Sequence, residues 1–61
     1  MCEVNAFKII DGAESLFMEE VDSISVEGTD IILTNLKGEK RKIQGKIKKI
    51  DFLGHRLVIE E

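Results

Sequence analysis

The 61-residue chain has no proline, no tryptophan and no tyrosine, and it has one cysteine, Cys2. A single thiol excludes an internal disulfide. No apolar run is longer than three residues, which excludes a transmembrane helix and a secretory leader. No Ser/Gly-rich linker or internal repeat divides the sequence, so residues 1–61 read as a single β domain. Its five glycines stand singly, and no glycine-rich phosphate loop is present. The expected compartment is the cytoplasm.

The missing staples matter because the chain is short. A domain of this size buries only about 60% of the surface its unfolded form exposes. A core this small seldom supplies more than roughly 3–5 kcal/mol without a disulfide, a metal or a partner subunit. With the disulfide excluded, oligomerisation or metal binding is the leading way to make up the deficit. The composition, 43% hydrophobic and 34% charged, is that of a globular chain rather than a disordered one.

Nine isoleucines dominate what is present. β-Branching disfavours helix and suits a pleated, half-buried surface. Turn signals recur at short intervals: Asp11-Gly12, Glu27-Gly28-Thr29-Asp30, Asn35-Leu36-Lys37-Gly38 and Leu53-Gly54-His55. Strand-like runs lie between them, over Val4–Ile10, Val21–Glu27, Ile31–Thr34, Glu39–Phe52 and Arg56–Glu60. Ile31–Thr34 reads as a strand covered on both faces. Ala13–Val21 favours a strand over a single helical turn. Ile43, Gly45 and Ile47 share one face, and the change of register before Ile50 and Phe52 places a bulge near Lys48. Leu57 and Ile59 point inward. The fold class is all-β, a small antiparallel barrel or sandwich of five to seven short strands, in a homodimer that buries a strand edge across a two-fold axis. The three phenylalanines are expected inside.

Charge is unevenly placed. Lys37, Lys40, Arg41, Lys42, Lys46, Lys48 and Lys49 give the stretch 37–49 a charge of +6 against one acid, Glu39, while the other 48 residues carry −9. Three readings are open. Lys40, Arg41, Lys42, Lys46, Lys48 and Lys49 contact RNA, or they dock on an acidic protein surface, a sister subunit's or another partner's, or they line a solvated strand pair and protect its edge. The pI of 5.1 lies far from the basic range of nucleic-acid binders, and no aromatic other than phenylalanine is available to stack on bases.

Catalysis has little to build on. Cys2 and His55 lack a third orienting partner, an oxyanion loop and a nucleophile elbow. The position of Cys2 suits metal binding better. Its thiolate and neighbouring main-chain nitrogens, the Met1 amine with the Cys2 amide, or the Cys2 amine with the Glu3 amide if Met1 is removed, form five-membered chelate rings. Sulfur with strong-field nitrogen in a plane suits Ni(II) or Cu(II) more than tetrahedral zinc. A two-fold dimer with adjacent N-termini would bring two sulfurs to one ion. His55 is expected to be exposed, and becomes an auxiliary ligand only if its turn approaches the chain start.

Met1-Cys2-Glu3-Val4-Asn5-Ala6, an apolar strand, the Asp11-Gly12 turn and the ending Leu57-Val58-Ile59-Glu60-Glu61 together resemble the CooT family. These are small proteins of about this length that begin Met-Cys, and the founding members are nickel-binding accessory proteins of carbon monoxide dehydrogenase. The resemblance spans the whole chain. It implies a β-rich homodimer with Cys2 as the nickel ligand near the dimer axis, a metallochaperone-like role in maturation of a nickel enzyme, and no enzymatic activity. Only Cys2 carries over as a functional residue.

Overall fold

A computed structural model describes residues 3–61 as six strands in one sheet. The strands are β1 (Val4–Ile10), β2 (Ala13–Glu27), β3 (Asp30–Asn35), β4 (Lys40–Gln44), β5 (Lys46–Asp51) and β6 (Arg56–Glu60). Their order across the sheet is β4-β3-β2-β1-β6-β5.

Local chemistry sets the turns. Asp11 and Gly12 both have positive φ, 53° and 79°, as a two-residue type I′ hairpin requires. Asn35 organises the β3–β4 connection: its side-chain oxygen accepts from the N–H groups of Lys37 and Glu39 at 3.0 and 2.9 Å. This is the Asx capping that favours asparagine at such turns.

β2 is the longest strand because Ala13–Val21 is extended and runs straight into the next segment. Two irregularities bend it against β1. Ala6 pairs Met18 and Phe7 pairs Leu16, leaving Phe17 as the extra residue. Between Val4–Val21 and Ala6–Met18, Asn5 faces Glu19 and Glu20. Glu20 has φ 56°, and its N–H donates to Asn5 Oδ1 at 3.2 Å. Beyond this bend β2 exchanges β1 for β3 as its partner. The expected bulge at Lys48 is also present: Ile47 pairs Ile59 and Lys49 pairs Val58, so Ile47 and Ile50 both face the inner side.

Gly45 decides the topology. It is the whole connection between β4 and β5, yet these strands occupy opposite edges of the sheet. The sheet therefore coils until its edges meet at this corner, without a β4–β5 ladder to close it into a barrel. The Gly45 N–H donates to Thr29 O at 3.0 Å. A Cβ on Gly45 would lie 2.6 Å from Glu60 O. The chain passes this corner without reversing, so β4 and β5 run the same way. The following β5–β6 reversal then leaves β6 parallel to β1. That one parallel pair departs from the all-antiparallel arrangement expected.

The inner face carries the core: Val4, Ala6, Met18, Val21, Ile31, Leu33, Ile43, Leu57 and Ile59, with Phe17 and Ile47 packed against it. Ile31–Thr34 departs from the expectation of cover on both faces, because Ile31 and Leu33 are buried while Ile32 and Thr34 are only half-buried. The phenylalanines also differ from expectation. Phe7 and Phe17 are half-buried and Phe52 is exposed. The narrow coiled interior is filled by aliphatic side chains and Met18, with Phe17 packed at its margin, and two rings carry arginines: Arg56 lies 4.3 Å from the Phe7 centroid and Arg41 4.2 Å from that of Phe17.

Candidate functional site

The proposed nickel ligands Met1 and Cys2 lie outside the described residues. The described part of this site begins at Glu3, where the structure brings together two segments far apart in sequence. The turn after β5 is set by Asp51, whose Oδ1 accepts from the Gly54 N–H at 2.9 Å. It ends at His55 in a left-handed conformation, φ 55°. Histidine is among the non-glycine residues that tolerate this region more readily. From there the His55 carbonyl accepts from the Asn5 N–H at 2.8 Å, and the His55 ring donates through Nδ1 to the Glu3 carbonyl at 3.0 Å. The condition for His55 to matter, approach of its turn to the chain start, is therefore met at Glu3. With the proton on Nδ1, a neutral ring keeps the lone pair on Nε2.

Among the described residues no group of three or more His, Cys, Asp or Glu side chains is placed to hold a metal ion. An open cleft of about 250 Å³ lies beside Phe17, Glu20, Glu39 and Arg41. Its mixed charges favour neither an anion nor a cation. Glu19 and Glu20 flank the bend of β2 and are exposed.

The basic stretch does not form a strand pair. Lys40, Arg41 and Lys42 lie on β4, and Lys46, Lys48 and Lys49 on β5, at the two outer edges of the sheet. Lysines on an exposed edge discourage pairing with another chain. The sequence places these charges together, and the fold sets them on two unpaired edges joined at the Gly45 corner. Arg41 is further engaged by Phe17, whose carbonyl accepts from Nη1 at 2.7 Å.

Several large apolar side chains are exposed, most of all Leu53 at 96% and Phe52 at 62%. Both belong to the turn that carries His55. Periodicity marked Ile50 and Phe52 as strand residues but had no means of placing this turn against the chain start.

No helix is long and apolar enough to cross a membrane among the described residues. The chain matches the family of the CO dehydrogenase accessory protein CooT over residues 1–60. An uncharacterized protein of Archaeoglobus fulgidus is 33% identical over 43 residues, which cover 70% of this chain and 96% of that relative. A crystal structure from Carboxydothermus hydrogenoformans, assigned to CooT, superposes with a TM-score of 0.90 at 33% identity, covering 98% of this chain and 97% of the other. The match over nearly the whole length and the shared fold agree: this chain belongs to the CooT family, accessory proteins of carbon monoxide dehydrogenase rather than enzymes.

Proposed function

We propose that this protein carries Ni(II) as cargo for maturation of carbon monoxide dehydrogenase, binding it through the Cys2 thiolate with the Met1 amine and the Cys2 amide nitrogen or, where Met1 is removed, with the Cys2 amine and the Glu3 amide nitrogen. The observation that carries this reading is the family match, which extends over residues 1–60 and so includes Cys2. The chemistry agrees with it. A thiolate with adjacent main-chain nitrogens offers a soft, planar donor set suited to Ni(II). The step is capture and release of an ion, with no substrate bond made or broken.

The working unit is a homodimer in the cytoplasm. Leu53 and Phe52 are too exposed for a chain with so small a core, and they flank His55, which touches Glu3. Burying this turn against a second copy would bring two chain starts toward one ion. RNA binding gains no support from a chain whose pI is 5.1.

Nickel titration of the wild type and of Cys2→Ser, against a competing chelator, tests the site. Cys2→Ser should abolish tight binding and the thiolate-to-nickel absorption. Unchanged affinity in the variant would refute it.

A further inference from the structure

We propose that His55 is a positioning residue for the N-terminal cargo site, its imidazole anchoring the chain at Glu3, the residue bonded to Cys2. This rests on the nickel reading of Cys2.

The argument begins with the β1–β6 ladder. Asn5 pairs Arg56 in parallel register, and the Asn5 N–H donates to the His55 carbonyl. In a parallel ladder the next rung toward the chain start would run from the His55 main-chain N–H to the Glu3 carbonyl. The left-handed conformation of His55 ends the strand before that rung. The side chain takes its place: Nδ1 donates to the Glu3 carbonyl at 3.0 Å. One residue thus supplies an acceptor from its main chain to Asn5 of β1 and a donor from its ring to Glu3, just before that strand.

The opposite side of β1 is held as well. Asn5 Oδ1 accepts from the Glu20 N–H at the bend of β2. The segment Glu3–Asn5 is therefore gripped from β6 by His55 and from β2 by Glu20. Without the imidazole, ordered pairing on the β6 side would stop at Asn5, three residues after Cys2. A chelate built largely from main-chain nitrogens depends on the orientation of that main chain. Partners that orient metal ligands from behind are worth about 10–100-fold in metal affinity.

The test uses the full chain, with nickel titrations of wild type, His55→Ala, His55→Phe, His55→Gln and Cys2→Ser, circular dichroism to establish folding, and amide exchange of the metal-free proteins. Loss of the donor in H55A and H55F should weaken nickel binding about 10-fold or more, shift the thiolate-to-nickel absorption, and speed exchange at Val4 and Asn5. H55Q, with an amide donor, should recover most of the affinity. If H55A binds with wild-type affinity and spectrum while C2S has lost binding, the role of His55 is overturned and the cysteine site stands. If H55A does not fold, equal affinities of H55F and H55Q overturn it. If C2S binds like the wild type, both readings fall.

Discussion

Arg41 donates to the Phe17 carbonyl at 2.7 Å and lies 4.2 Å from the centroid of the same residue's ring. The bulge in β2 makes this possible. Phe17 is the residue left over between the Ala6–Met18 and Phe7–Leu16 pairs, and β4 reaches it with a planar donor that also stacks. Lysine keeps the charge but has neither the fork nor the flat face. Arg41→Lys should therefore cost about 1 kcal/mol in thermal or urea unfolding. If Arg41 served mainly as a phosphate contact, the charge-preserving change would leave stability untouched and act only in a salt-dependent gel shift.

Gly45→Ala should be among the most damaging small substitutions. Its new methyl would meet the Glu60 carbonyl oxygen at 2.6 Å and the carbonyl carbon at 3.1 Å, both main-chain atoms, at φ 155°. Relief requires the corner between the two sheet edges to open. The expected loss is about 1–3 kcal/mol. Each kcal/mol is worth roughly 4–8 °C in midpoint for a domain of this size. Gly12→Ala, with open space around its Cβ, should cost less. A differential scan of the two variants checks the ranking.

Ile59 and Leu53 separate folding from association. Ile59 is fully buried in the core, and truncating a buried isoleucine to alanine costs about 2–5 kcal/mol. That range reaches the whole stability expected of so small a core, so Ile59→Ala should be largely unfolded by circular dichroism. Leu53, at 96% exposure, should tolerate serine with the fold intact. Light scattering of the wild type should return about 14 kDa, twice the 6.9 kDa chain, and Leu53→Ser should shift the particle toward the monomer. A wild-type particle of 6.9 kDa at micromolar concentration would count against the dimer.

The lysines of β4 and β5 should act as guards against edge pairing. Replacing Lys40 and Lys42 together with isoleucine leaves Arg41 as the one charge on a largely apolar outer strand, a pattern that invites chain-to-chain pairing. Turbidity or dynamic scattering at matched concentration should show association well above the wild type. No change in association would mean that the edge is shielded otherwise and that these charges serve a partner.

Much of this fold was legible locally. Asp11-Gly12 names its own turn type because both residues accept positive φ. The bulge at Lys48 followed from the spacing of Ile43, Ile47 and Ile50, since an alternating strand has to skip one residue to keep all three inward. The position of the phenylalanines was not legible, because apolarity alone does not say whether a ring fills an interior or carries an arginine on its margin. The candidate site was legible only in part. Cys2 is marked by its place beside the chain start, whereas the involvement of His55 depends on a hydrogen bond across 52 residues.

The amino-acid sequence by itself settled the all-β class and the hairpin turns, since these depend on neighbouring residues, whereas the run Glu39–Phe52 reads as one segment and is in fact two strands parted at Gly45. The tertiary structure decided what lies next to what. Gly45 passes the chain from one sheet edge to the other without a reversal, so β6 runs parallel to β1 and the basic strands follow one another around the corner instead of pairing. That same parallel pairing carries His55 to Glu3. Such contacts arise from the coiling of the whole sheet, which no local run of residues encodes.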